Sequence, residues 1–149
     1  MPEYLELTVD KFTFKIAADR FYMRTGLWVL PETAGVRIGL SDFLQQRSGD
    51  IAFVEIKPIG AVLTAEDEVA AIETIKVNVA LNSPVSGTVI EVNPTMEIAP
   101  EAINQDPYGA GWLAVLSAPE WEVDRARLLD AAAYFEAIKR EVAEEMKNS

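Results

Sequence analysis

One lysine stands out among the side chains able to do chemistry. Lys76 lies in Glu73-Thr74-Ile75-Lys76-Val77, between two runs rich in Val, Ile and Ala, and eight residues ahead of Pro84-Val85-Ser86-Gly87. This pattern reads as a strand, a short tip and a returning strand. A hairpin tip of that kind holds one amine out to a modifying enzyme, and Glu73 supplies a docking charge beside it. Gly60 lies sixteen residues before Lys76 and Gly87 eleven after it, and both allow turn backbones that a Cβ would obstruct. Lys76 is thus the candidate acceptor, with Glu73, Gly60 and Gly87 as its recognition set. The plainer reading of any lysine in a β-turn is a solvated charge, and one residue does not decide between the two.

The rest of the inventory narrows the chemistry. The chain has neither cysteine nor histidine, which removes disulfides, thiol nucleophiles, Ser-His-Asp triads, the usual zinc sites and the common proton shuttle. No local spacing of carboxylates marks a metal loop or a catalytic pair. Such a chain makes a poor stand-alone enzyme, and group-transfer chemistry would need an attached cofactor. The net charge of −11 opposes nucleic acid and serves solubility, with a basic partner surface as the other use of the same charges. No stretch approaches the roughly 20 apolar residues of a membrane span. The residues Met1-Pro2-Glu3-Tyr4-Leu5-Glu6 do not read as a signal peptide, so a cytoplasmic protein is expected.

The elements that must position Lys76 are mainly strands. At 149 residues, half of them hydrophobic, the chain is about one domain long. Phe12-Thr13-Phe14-Lys15-Ile16 alternates as a half-buried strand. Leu27 to Leu30 and Val36 to Leu40 flank the turn cluster Pro31-Glu32-Thr33-Ala34-Gly35 as a hairpin. Ser41 is placed to cap a short helix near 41–47, ended by Ser48-Gly49-Asp50. Short strands follow over Ile51–Ile56, Val69–Ile75, Val77–Ser83 and Gly87–Val92, the pattern of a sandwich or flattened barrel. Gly60-Ala61-Val62-Leu63 and Gly87-Thr88-Val89-Ile90 echo each other on either side of Lys76.

After the polar stretch Asn104 to Gly111 and the apolar Trp112 to Leu116, the period becomes helical. Leu128, Ala131, Phe135, Ile138 and Val142 recur at spacings of three and four. An amphipathic helix over about 122–147 is expected, with Asp124 as its N-cap or first-turn acid. Trp28 and Trp112 read as core aromatics, and Trp121 with Pro119 as the entry to the helix. Asp50 and Glu55 read as solvated strand ends.

The order of motifs carries a resemblance. Gly39-Leu40-Ser41-Asp42-Phe43-Leu44-Gln45, Gly49-Asp50-Ile51-Ala52-Phe53-Val54-Glu55, Ser83 to Asn93, Asn104 to Leu113 and Leu128 to Tyr134 resemble successive blocks of the glycine cleavage system H protein family. The resemblance runs from about Tyr22 to Tyr134. It implies a single domain over 1–149 of the lipoyl type, a barrel-sandwich hybrid with its core about 35–117. It implies lipoate amide-linked to Lys76 as a swinging arm, carrying an aminomethyl group between enzymes and reoxidised by a flavin dehydrogenase. The implied partners are a lipoate-protein ligase or lipoyl transferase and the other enzymes of the system, with the carrier itself a monomer.

Two stretches depart from the family pattern. Tyr22-Met23-Arg24-Thr25-Gly26-Leu27-Trp28 has Gly26 and Leu27 where His and Glu are expected. Val79-Ala80 replaces a Ser-Asp pair after the lysine. The altered positions are those where a loaded arm rests in the family, so an alternative cargo stays open. H-like lipoate-binding proteins carry sulfur in heterodisulfide-reductase-like oxidation systems. A biotinyl lysine usually has methionine on both sides, unlike Ile75 and Val77. An unmodified structural or regulatory adaptor is the remaining class.

Overall fold

The computed structural model describes residues 3–147, and its strands follow the alternation of apolar residues. Strands β1 (Tyr4–Val9) and β2 (Phe12–Ala17) form a separate antiparallel hairpin. Next come β3 (Phe21–Tyr22), β4 (Leu27–Glu32), β5 (Gly35–Leu40), helix α1 (Asp42–Ser48) and β6 (Ile51–Ile56). The middle holds β7 (Val62–Leu63), β8 (Glu68–Thr74), β9 (Asn78–Asn82) and β10 (Gly87–Val92). Two single-turn helices, α2 (Thr95–Ile98) and α3 (Ala102–Gln105), precede β11 (Ala114–Leu116), and α4 (Trp121–Arg125) and α5 (Ala131–Lys147) close the chain.

One sheet has the order β3-β4-β5-β11-β10-β7 and a second the order β6-β8-β9. Their inward residues share one core, with Val29, Ile38, Val89 and Leu116 from the larger sheet and Val69, Ile72 and Leu81 from the smaller. The expected barrel-sandwich architecture is therefore present. The two echoing glycine segments are hydrogen-bonded neighbours: β7 pairs antiparallel with β10, and Gly60 N–H donates to Val89 O at 2.8 Å while Val89 N–H donates to Ala61 O at 2.9 Å.

A second core lies outside the sandwich. Phe14 and Ile16 of β2, Tyr22, Trp28 and Phe43 pack against Ala131, Tyr134, Ile138 and Val142 of α5. The rings of Tyr22 and Tyr134 stack with centroids 4.4 Å apart. Buried polar groups are satisfied here, as burial demands: Trp28 Nε1 donates to Pro107 O, Tyr22 Oη to Ala17 O, and Ser41 Oγ shares a hydrogen with Tyr134 Oη. Trp28 is the expected core aromatic. Trp112 is only half-buried, under the Arg37 guanidinium at 4.2 Å, and Trp121 sits edge-on to Phe21 at the start of α4.

The helix expected over 122–147 is broken in two. Between α4 and α5, Leu129 exchanges both backbone hydrogen bonds with Tyr22, which extended backbone allows and helix forbids. Asp130 then starts α5, its Oδ1 accepting from Ala133 N–H. Asp124 lies in the first turn of α4 but caps nothing there: it is buried, accepts from Ser86 N–H, and pairs with Arg127. Strand β1 went unforeseen although Tyr4-Leu5-Glu6-Leu7-Thr8-Val9 alternates and Asp10-Lys11 is a two-residue turn with Asp10 at φ 55°. No helix among the described residues is long and apolar enough to cross a membrane.

Candidate modification site

Strands β8 and β9 pair antiparallel up to Glu73↔Asn78, leaving Thr74 to Val77 as the tip. The tip is closed by one side chain. Thr74 Oγ1 accepts from Lys76 N–H at 3.1 Å and Val77 N–H at 3.0 Å and donates to Val77 O at 3.1 Å, while Thr74 N–H also donates to Val77 O at 2.9 Å. A hydroxyl has one hydrogen and two lone pairs, and here all are used. Ile75, at 97% exposure, and the exposed Lys76 thus sit on a fixed turn rather than a frayed loop. Thr74 is a functional residue outside the expected recognition set. Its signal was a threonine two residues before the lysine, the spacing of a side chain that closes its own turn.

The Lys76 side chain is exposed, and among the described residues its ammonium has no ion pair. Its outer carbons lie along Gly49, the residue that ends α1 with φ 88°. The turn beneath is held from the far side by Asn104. Asn104 Nδ2 donates to Gly49 O at 3.0 Å and to Gln45 Oε1 at 2.9 Å, and its Oδ1 accepts from Ile51 N–H at 2.9 Å. Gln45 is tied in turn to Asp42 at 2.8 Å. The Asn104 to Gly111 segment therefore supports the lysine through its first residue. Arg47, the nearby cation on α1, is occupied: it pairs with Glu145 and lies over the Phe43 ring at 4.7 Å. That pairing holds the Glu145 carboxyl below its usual range and the guanidinium above its own, the side-chain hydrogen bond being the main cause of each.

Of the expected recognition residues, Glu73 stands in the last strand pair below the tip, exposed, opposite Phe53 on β6 and Asn78 on β9. Gly60 and Gly87 have local reasons of their own. Gly60 has φ 97° and open space around it, so its turn needs the left-handed conformation. Gly87 pairs with Leu63, and a Cβ there would stand 1.8 Å from Ser117 O. Their contacts lie on the β7–β10 side and not at the hairpin tip. Glu55 and Asp50 are exposed, as solvated strand ends are, and Ala80 is exposed on β9.

The two departures at Gly26 and Leu27 form part of the core wall. Leu27 is fully buried, and a Cβ on Gly26 would meet Leu44 Cβ at 2.8 Å. Neither position offers a polar group. The arrangement as a whole can present one primary amine on a rigid, accessible tip, the requirement for attaching lipoate through an amide.

The model of the family described as glycine cleavage H-protein matches residues 20–141. A glycine cleavage system H protein of Thermus thermophilus is 40% identical over 126 residues, covering 85% of this chain and 98% of that one. A probable glycine cleavage system H protein of Natronomonas pharaonis is 43% identical over 106 residues, 71% of this chain and 84% of that one. The crystal structure of a glycine cleavage system H protein from Mycobacterium marinum superposes with a TM-score of 0.68 at 31% identity, covering 80% of this chain and 95% of that one.

Proposed function

The chain belongs to the glycine cleavage H-protein family, and from that premise we propose that it is the lipoyl-bearing carrier of a glycine cleavage system, with lipoate amide-linked to Nζ of Lys76. The observation that carries this reading is the Lys76 amine itself, exposed and, among the described residues, without an ion pair, on a tip whose backbone Thr74 fixes. When bound, the dithiolane supplies a reducible disulfide and a thiol able to hold an aminomethyl group.

The protein's own residues do the rest. The Thr74 turn sets the direction in which the side chain leaves the fold. The Gly49 turn gives its carbons a surface without a Cβ, and Asn104 keeps that surface in place. Glu73 offers the attaching enzyme a charge one strand pair from the target. Gly60 and Gly87 act at recognition only through the backbone they permit. Tethering turns each encounter of the arm with an active site into an intramolecular one, so a modest intrinsic affinity suffices. The partners are the enzymes of the glycine cleavage system, with a ligase or lipoyl transferase for loading and a flavin dehydrogenase for reoxidation. The carrier works as a cytoplasmic monomer, with residues 35–117 as its lipoyl-type core. The sulfur-carrying alternative finds no support among the relatives compared, whose names are those of glycine cleavage proteins.

The test is intact mass and peptide mapping of protein expressed in a lipoate-fed, ligase-competent host, followed by glycine–bicarbonate exchange with glycine decarboxylase. A single lipoyl adduct on Lys76 that supports exchange is the expected result. A lipoyl adduct that supports no exchange would overturn the cargo. An unmodified Lys76 would leave the adaptor reading, and a biotinylated one would change the cofactor.

A further inference from the structure

The outward face of the β6-β8-β9 sheet is uncovered and unlike an ordinary solvated sheet surface. Phe53 on β6 is 65% exposed and lies opposite Glu73 on β8, while Glu55 lies opposite Ala71, which lies opposite Ala80 on β9. The two alanines are too small to fill the face between the longer side chains. They leave a depression of about 480 Å³, bordered by Phe53, Glu55, Glu68 and Glu73. No lysine or arginine lines it, and among the described residues none of the three glutamates has an ion pair. The Glu73↔Asn78 pair joins the depression to the hairpin tip, where Ile75 and Val77 are exposed as well. Single exposed apolar residues need no explanation, but here they continue along one side of the reactive lysine into an acidic hollow.

We infer that this face is the docking surface for the enzyme that acylates Lys76, whose matching surface is a cationic rim around an apolar side chain. The inference rests on the reading of Lys76 as the attachment residue. Reach selects this partner over the others. An unmodified lysine extends about 6 Å from its Cα by ordinary bond lengths, so the attaching enzyme must settle on the flanks of the hairpin. A loaded arm is roughly twice as long and lets later partners stand further off. Charge complementarity fixes the sign of the partner. Three unpaired carboxylates attract a basic surface and repel an acidic one, and such a contact weakens with salt.

The experiment measures loading of the full apo-chain by a lipoate-protein ligase, where lipoate and ATP yield the Lys76 amide, AMP and pyrophosphate. The double reversal Glu55→Lys with Glu68→Lys is expected to raise KM for the carrier at least tenfold with kcat within twofold, and to abolish the rise of KM with salt. Phe53→Ser is expected to raise KM several-fold by itself. Glu136→Lys on exposed α5 is the matched control and leaves both constants unchanged. Circular dichroism checks that each variant is folded. Unchanged KM in both the double reversal and Phe53→Ser would overturn the docking surface while loading of Lys76 continues. Defects confined to glycine–bicarbonate exchange with preloaded protein would also overturn it, by giving the face to a later partner. Failure of the wild-type chain to load on Lys76 would instead overturn the carrier reading beneath it.

Discussion

A Cβ placed on Gly49 would stand 3.1 Å from Cε and 3.7 Å from Nζ of Lys76, so the lysine lies against the α1–β6 turn rather than straight out into solvent. A fully buried methylene is worth about 0.8 kcal/mol and this exposed one less, little enough for an arm that must swing. The contact defines a resting direction without holding the amine.

Gly49→Ala is therefore expected to move the lysine and to strain the turn. At φ 88° and ψ −167°, backbone that is essentially reserved for glycine, an alanine is unfavourable by about 1–3 kcal/mol, and its methyl displaces the outer carbons of Lys76 by a few tenths of an ångström. Denaturant unfolding should show the loss, and the Lys76 side-chain resonances should shift while loading persists. Unshifted resonances would mean that the side chain does not rest there.

The tip depends on Thr74 in a way that separates shape from hydrogen bonding. Thr74→Val keeps the branched outline and removes the three bonds of the hydroxyl, whereas Thr74→Ser keeps them. On an exposed turn, water takes up the freed groups and stability falls by only about 1 kcal/mol. Loading should suffer more, roughly tenfold, because the amine's direction is lost. Amide exchange at Lys76 and Val77 and ligase kinetics check this, with Ser near wild type.

Lys76→Arg tests the separation of function from fold. The side chain is exposed and has no ion pair among the described residues, so stability should stay within about 0.5 kcal/mol. The guanidinium is not acylated, and no adduct should form. A substantial stability loss would show that the contact with Gly49 carries structural weight.

How far these features were legible differs by kind. Strands β4, β5, β6, β8 and β10 and the Ser41-capped helix follow from alternation and capping, which are local signals. The lysine tip is local too. Long-range pairing is what single-sequence reading lacks. Nothing local announces that Leu129 must bond to Tyr22, and so the period of Leu128, Ala131 and Phe135 looked like one helix. The role of Asn104 lies in partners 53 and 55 residues away in the chain. Glu55 alternates like any solvated strand residue, and only the register beside Ala71 and Ala80 places it on a hollow.

Asn104 is the support that this distance concealed. Asn104→Ala frees Ile51 N–H and Gly49 O together and should cost about 2–3 kcal/mol. Asn104→Asp is expected to be no better. Its carboxylate still accepts from Ile51 N–H but faces Gly49 O and Gln45 Oε1 with acceptors only. Equal stability of the Asp variant and wild type would show that the two bonds donated by Asn104 Nδ2 contribute nothing to the fold.

The second core predicts a specific alkaline behaviour. Burial raises the phenol pKa of Tyr22 and Tyr134, and pushes that of Tyr108, which packs against the same core and donates its hydroxyl hydrogen to Lys15 O, up to about 12. In the unfolded chain these phenols ionise near their ordinary value of about 10. Between the two values the unfolded state binds fewer protons than the folded one, so stability must fall as pH rises. The contribution is fully present below pH 10 and is lost across the window from about 10 to about 12. Phenolate absorbance of these three residues should therefore appear together with loss of the circular dichroism signal. Full ionisation of Tyr22, Tyr108 and Tyr134 in a chain that keeps its native spectrum would show that the layer between β2, α1 and α5 is open to water.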